Sequence, residues 1–290
     1  MRYAFWPGCV ALGACPELYV STQKVAEVLG IQLEELTKAS CTGSGVIQER
    51  NPELGDALNA RTLAMAEQLG LPVMTICSVC TGVMNQANTR FSRHPDYLER
   101  INQFLEPEHL GYGGTVDIKH LLWILLEDYG LDRVRSFVRR PLKGIRIAPF
   151  YGCYILRPSA VLGYQAHPRR SNYLEEVIHA VGAEPVDYFG KSKCCGFPIV
   201  TMNLKNSLTM AGNHVLEAKT KGADCMVTPC PLCHLNLDAY QPEAAKIQGK
   251  RLDLPVLHLP ELLCLAFGLL PQELRLNRHV VSTDPLLSRL

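Results

Sequence analysis

The chain has 290 residues, 47% of them hydrophobic and 20% charged, with 29 Lys and Arg against 28 Asp and Glu. A formal charge of +1 excludes broad electrostatic recruitment by nucleic acid or membrane, and the apolar content excludes disorder as the dominant state. No apolar run approaches the roughly 18–20 residues that cross a bilayer, and the first residues hold no signal-peptide core. The expected setting is therefore the reducing cytoplasm, with no direct membrane span. Twelve cysteines in such a compartment point to metal or redox chemistry rather than structural disulfides.

Along the chain, Arg2 to Phe5 reads as a short strand delivering Cys9. Apolar spacing predicts a helix over Tyr19 to Leu29, ended by Gly30. Asn51 caps a second helix, with Pro52 in its first turn and Gly70 past its end. Leu71 to Ile76 is a buried-type strand feeding Cys77-Ser78-Val79-Cys80, which opens a helix through Phe91. Phe104 to Tyr112 reads as a linker, Val116 to Tyr129 as a strongly apolar helix, and Asp132 to Arg140 as a basic segment broken by Pro141. The order then restarts. Strand Gly144 to Phe150 leads to Cys153, followed by helix Asn172 to Val181, strand Pro185 to Phe189 and the triplet Cys194-Cys195-Gly196. Helix Asn206 to Lys221 and strand Cys225 to Thr228 lead to Cys230-Pro231-Leu232-Cys233. Helices alternating with short strands predict an α/β fold with a small, mainly parallel sheet in each half.

The cysteines form two series. Cys41 to Cys77 spans 36 positions, Cys194 to Cys230 spans the same 36, and both close with CxxC. The surroundings agree: Gly8-Cys9 faces Gly152-Cys153, Cys41-Thr42-Gly43 faces Cys194-Cys195-Gly196, and Thr75-Ile76-Cys77 faces Thr228-Pro229-Cys230. Such agreement marks an internal duplication: residues 1–140 and 141–290 are expected as two lobes about a pseudo-twofold axis, the cysteines of each converging. Cys9, Cys41, Cys77 and Cys80 suit tetrahedral zinc or an iron–sulfur cluster equally well. Cys153, Cys194, Cys195, Cys230 and Cys233 exceed the usual four ligands of zinc and ask for a larger inorganic body. A dithiol redox pair at either CxxC leaves the upstream cysteines unexplained.

Several neighbours carry two readings. Gly43 and Gly196 either let the backbone approach bulky inorganic sulfur or form tight turns. Arg157, Arg169 and Arg170 make a solvated basic loop or receive an acidic thiol substrate or carrier; Lys191 and Lys193 are in position to balance cluster charge. His120 and His258 head apolar segments at matching places, capping and packing or facing the site as proton donors. The Leu-rich tail after Pro271 packs back or meets a partner, Cys225 and Cys264 are core residues by their apolar context, and Cys15 has no counterpart in the repeat.

The doubled pattern of cysteine, Cys-Cys-Gly and CxxC resembles the B subunit of heterodisulfide reductase, in the cysteine-rich CCG-domain family, over essentially the whole chain. The resemblance implies that Cys153, Cys194, Cys195, Cys230 and Cys233 hold a noncubane 4Fe-4S cluster and carry thiol/disulfide or bound-sulfur redox chemistry. The first copy departs from the pattern at Cys41-Thr42-Gly43, and the four thiols that remain have the count for an ordinary cubane 4Fe-4S cluster relaying electrons. It further implies a ferredoxin-like C subunit, a flavoprotein A subunit and a disulfide or thiol substrate. The altered first motif points to the variant in bacterial sulfur-oxidising heterodisulfide-reductase-like complexes, whose sulfur travels on a lipoate-bearing carrier protein. No GxGxxG follows a strand, so electrons are expected from an external partner. The alternatives are a non-catalytic electron-transfer subunit, and a structural zinc in the first lobe beside a single redox cluster.

Overall fold

The computed structural model describes residues 1–290. Eight strands follow in chain order: β1 (Arg2–Trp6), β2 (Gln32–Glu35), β3 (Val73–Thr75), β4 (Ile118–His120), β5 (Arg146–Pro149), β6 (Glu184–Pro185), β7 (Cys225–Thr228) and β8 (Val256–His258). They make two wholly parallel four-stranded sheets, ordered β2-β1-β3-β4 and β6-β5-β7-β8. The second order repeats the first, which is the duplication read from the cysteines. β1, β3, β5 and β7 lie inside their sheets and are almost continuously buried, as parallel strands covered on both faces must be.

The helices form where capping and spacing direct them. Cys15 precedes the helix Pro16–Leu29, which Gly30 ends at φ 68°. The Asn51 side chain accepts the Leu54 N–H at 3.0 Å and so starts the helix Pro52–Gln68. Cys77 and Cys230 stand directly before the helices Ser78–Arg93 and Pro231–Leu237, so each CxxC straddles a strand end and the first helical turn. The lobes interlock: the closing helix Leu259–Ala266 packs on Pro16–Leu29, and the segment around Leu121–Trp123 packs on Tyr173–Ala180. One apolar core runs through both lobes, joining Phe5, Leu18 and Val25 to Ile147, Leu174 and Leu262. No helix is long and apolar enough to cross a membrane.

Three expectations need correction. Val116 to Tyr129 is not one helix, since β4 occupies Ile118–His120 and the helix starts at Leu121, widening into a π-helical segment over Ile124–Tyr129. A continuous apolar run fits a buried strand as well as a buried helix. Pro185 to Phe189 is not a strand: pairing with β5 stops at Pro185, and Phe189–Ser192 is a 3₁₀ turn. The edge strand β2 and the strand β8 were missed, the first because Gln-Leu-Glu-Glu is polar and part-exposed.

Candidate metal centres

Parallel strands carry the cysteines to one end of each sheet. Thr75 and Thr228, the last residues of β3 and β7, turn their hydroxyls back to accept the backbone N–H of Cys77 and Cys230 at 3.2 and 3.3 Å. The repeated threonine thus fixes the turn that presents the CxxC. Gly8 and Gly152 hold φ values of 88° and 71° just before Cys9 and Cys153. A Cβ at Gly152 would sit 2.8 Å from Cys233 Sγ, and one at Gly8 would sit 3.4 Å from Cys80 Sγ, so both glycines let the backbone press against the second CxxC thiol.

The first row runs from a solvent-facing pair to a buried pair. Cys9 Sγ and Cys41 Sγ are 3.5 Å apart and exposed, whereas Cys77 and Cys80 are buried. In the second row Cys153 and Cys194 are half-buried, and Cys195, Cys230 and Cys233 are buried. The rows meet at their inner ends, where Cys77, Cys80, Cys195, Cys230 and Cys233 share one buried cluster. The two rows therefore lie end to end across the lobe boundary, with none of the nine predicted thiols in a disulfide. Hydrogen bonds across the boundary reinforce the meeting point: Ser78 Oγ and His120 Nε2 both reach the Pro229 carbonyl, at 3.3 and 2.9 Å.

Thr42 stands where the second lobe has Cys195. Its hydroxyl points to Cys80 Sγ at 3.9 Å, and Cys195 correspondingly faces Cys233. The loops bearing these residues are held alike, since Asn59 Nδ2 donates to the Thr42 carbonyl at 3.0 Å and Asn236 Nδ2 to the Cys195 carbonyl at 2.6 Å. Neither asparagine is marked in the sequence, since each is one polar residue among several in a helical segment and the two have no repeated spacing.

Backbone donors converge on the sulfurs. Gly196 N–H points to Cys194 Sγ and Phe197 N–H to Cys195 Sγ, both at 3.4 Å, and Cys80 N–H points to Cys77 Sγ at 3.5 Å. The Cys9 thiol, with help from the Gly43 N–H, pulls Cys41 down to about 6 against its burial. Cys194 is lowered by the thiols of Cys153 and Cys195, and Cys230 by those of Cys233 and Cys77. Neighbouring thiols and backbone donors thus stabilise negative charge within each row, the form of sulfur that ligates metal. Gly43 and Gly196 have φ of 73° and 94°, and a Cβ at Gly196 would meet the Ser207 carbonyl at 2.8 Å, so the tight-turn reading of these glycines holds.

The other flanking residues are committed elsewhere. Arg170 is buried, pairs with both Glu127 oxygens at 2.7 and 2.8 Å and lies 3.9 Å over the Trp123 ring. Arg169 pairs with Glu176, Arg157 donates to the Ser192 carbonyl at 3.0 Å, and Lys191 bridges Glu175 and Asp187. These contacts correct a solvated loop at Arg170 and give Lys191 two carboxylate partners. His120 accepts the Leu122 N–H at Nδ1, and burial lowers it to about 4, so it is a neutral tie between lobes rather than a proton donor. The tail folds back through Arg278 to Glu17 and His279 to Glu261, each at 2.9 Å, while Cys225 and Cys264 are core residues.

The donor set fits a sulfur-rich metal group. A small cavity of ≈ 20 Å³ is lined by Cys153, Cys195, Cys230 and Cys233 together with Tyr151, Phe197 and Leu232. Sulfur faces sulfur within each row, backbone N–H groups point at the thiols, and no acidic side chain belongs to either row.

The cysteine-rich domain model of the CCG family matches residues 3–85 and 147–238, covering each row, and the chain belongs to that family. It is 30% identical to a protein of Archaeoglobus profundus described as like the B subunit of heterodisulfide reductase, across 94% of this chain and 93% of that protein. It is 29% identical to the B subunit of the Ferredoxin:CoB-CoM heterodisulfide reductase of Methanosarcina mazei, across 100% and 97%. It is also 37% identical to the 8-methylmenaquinol:fumarate reductase membrane anchor subunit of Wolinella succinogenes, across 98% and 99%. A crystal structure of a hypothetical protein from Helicobacter pylori shares the fold, with a TM-score of 0.77 at 16% identity, over 97% of this chain and 52% of that one.

Proposed function

We propose that the chain is the iron–sulfur subunit of a multi-subunit oxidoreductase of the heterodisulfide-reductase type, with thiol/disulfide or bound-sulfur chemistry at its second lobe. The reading rests on one observation, the five-thiol row that abuts a four-thiol row where Cys77 and Cys80 share a buried cluster with Cys195, Cys230 and Cys233. Cys153, Cys194, Cys195, Cys230 and Cys233 would hold a noncubane 4Fe-4S cluster, and Cys9, Cys41, Cys77 and Cys80 a cubane one. Such clusters supply one-electron redox capacity and, at the five-thiol site, affinity for a substrate sulfur. The two halves 1–140 and 141–290 are then the units of duplication, one row in each.

The chain's own groups define how that chemistry is housed. Cys153 and Cys194 are the solvent-reaching end of the second row, where a disulfide or thiol substrate would approach. Tyr151, Phe197 and Leu232 exclude water from the inner thiols. The N–H groups of Gly196 and Phe197 stabilise negative charge on sulfur and favour the reduced state. Cys9 and Cys41 form the solvent-reaching end of the first row, the place for an electron partner to dock. A ferredoxin-like subunit, a flavoprotein subunit and a cytoplasmic setting belong to this reading, with a lipoate-bearing carrier as one form of the substrate.

A second reading is a non-catalytic electron relay. The 37% identity to a menaquinol:fumarate reductase subunit supports it, as does the missing fifth thiol at Thr42. Anaerobic protein, half reduced and titrated with a small disulfide and then a dithiol, separates the two. Disulfide chemistry requires a paramagnetic signal that responds to the thiol reagents and is lost in Cys195→Thr. Reversible reduction indifferent to both reagents would leave the relay.

A further inference from the structure

Cys15 lies outside the repeat and belongs to neither thiol row. It precedes the helix Pro16–Leu29 and is 0% exposed. Three side chains surround it: Glu17 from the first turn of that helix, His234 from Pro231–Leu237, and His258 from the end of β8. One ligand atom from each of the four lies within 4.8 Å of all the others. All four residues are buried, and they come from both lobes.

Their hydrogen bonding is incomplete in a directed way. Both ring nitrogens of His258 and Nδ1 of His234 are buried without a partner. Natural interiors seldom keep three such atoms together, and each exception calls for an explanation. The duplicated half shows what a satisfied histidine looks like at the same register position. His120 lies opposite Thr75 as His258 lies opposite Thr228, yet His120 spends both nitrogens, on Pro229 and Leu122.

The remaining atoms are oriented from outside. His234 Nε2 lies 2.9 Å from the Val256 carbonyl and 3.3 Å from His279 Nδ1; because a carbonyl can only accept, the Val256 bond needs the proton at Nε2 and leaves the Nδ1 lone pair available. Arg278 Nε holds Glu17 Oε2 at 2.9 Å, leaving Oε1 facing His258 Nε2 at 3.8 Å. Backbone carbonyls and charged groups orient metal-bound imidazole and carboxylate in this manner. The adjoining trio His234, Asp238 and His279 is different: Asp238 accepts the Val280 and Val281 N–H groups, and His279 pairs with Glu261.

We propose that Cys15, Glu17, His234 and His258 form a buried four-ligand site for a divalent transition metal, zinc above all. One thiolate, one carboxylate and two imidazoles make a four-ligand donor set of the kind zinc takes, and the sulfur and nitrogen ligands disfavour magnesium and calcium. Thiolate, carboxylate and a 2+ ion sum to zero, so the loaded site buries no net charge. Loading breaks the Cys15 S–H bond, forms a sulfur–metal bond and releases one proton to solvent. The ion would tie the first-lobe helix to β8 and to the helix directly behind Cys233, locking the lobes beside the thiol rows. This inference is independent of the iron–sulfur reading.

The test is metal analysis and zinc K-edge absorption on full-length protein expressed with zinc available. The wild type is expected to hold about one zinc per chain at this site, with imidazole scattering, about one sulfur neighbour near 2.3 Å and nitrogen or oxygen near 2.0–2.1 Å. Cys15→Ala and His258→Ala are each expected to lose about one zinc per chain with iron content unchanged. Zinc absent from the wild type, or zinc with sulfur neighbours only, would overturn the proposal, because the Cys9/Cys41/Cys77/Cys80 set has no histidine. Equal zinc in folded variants and wild type would do the same. If a variant fails to fold, the wild-type spectrum decides alone.

Discussion

Replacing Gly152 by alanine probes how tightly the backbone is pressed against the second thiol row. The residue sits at φ 71°, where an L side chain costs about 1–2 kcal/mol. Its Cβ would also stand 2.8 Å from Cys233 Sγ, several tenths of an ångström inside ordinary contact, and Cys233 is too buried to swing away. Overpacking of this kind costs about 1–3 kcal/mol, so Gly152→Ala should destabilise by about 2–5 kcal/mol. Gly8→Ala is the internal control. It has the same backbone penalty at φ 88° but only a 3.4 Å approach to Cys80 Sγ, giving about 1–2 kcal/mol. Anaerobic urea unfolding followed by tryptophan fluorescence, with iron counted per chain, reads both effects. The expected result is a larger midpoint shift and selective loss of second-lobe iron in Gly152→Ala. Equal shifts in the two variants, or full iron in Gly152→Ala, would refute the argument from close approach.

Three further outcomes follow from named contacts. Thr42→Cys restores a fifth thiol opposite Cys80 and should give the first lobe the spectroscopic signature of the second, whereas an unchanged spectrum would deny the equivalence of Thr42 and Cys195. His120 is held at about 4 against 6.5 in the unfolded chain, because burial penalises its charged form. The unfolded state therefore takes up the proton first as pH falls. Stability from this residue is fully present above pH 6.5 and lost as pH falls toward 4, roughly 3 kcal/mol in all. His120→Gln should flatten the pH dependence of the unfolding midpoint across that window, and an identical slope in the variant would count against it. Arg170→Ala should cost about 3 kcal/mol by removing the bidentate partner of Glu127, whose remaining neighbour His167 stands 3.8 Å away, without altering thiol reactivity; a melting temperature within 1 °C or so of wild type would contradict this.

The duplication and the membership of both thiol rows were legible in the sequence because cysteine, glycine and threonine recur at matched spacings, and each has a single structural use here. Thr75 and Thr228 cap the CxxC turns, and Gly8 and Gly152 yield to a thiol. The strands β4 and β8 were harder to read, since three residues ahead of an apolar helix are too few to show a change of period. The basic residues after Cys153 misled for a different reason: composition shows charge, but only the fold reveals that Glu127 and Trp123 lie against Arg170. The role of Cys15 depends on Glu17, His234 and His258, whose convergence needs both lobes in place and leaves no spacing for the sequence to display.

The central claim is that the nine thiols along the lobe boundary hold two iron–sulfur centres. Counting iron and acid-labile sulfide in anaerobically purified protein tests it directly. About eight iron and about eight sulfide per chain is the expected result, falling to about four of each in a Cys230→Ser variant that spares the first row. Protein isolated without sulfide, with its cysteines intact and no sign of cluster loss, would contradict the account.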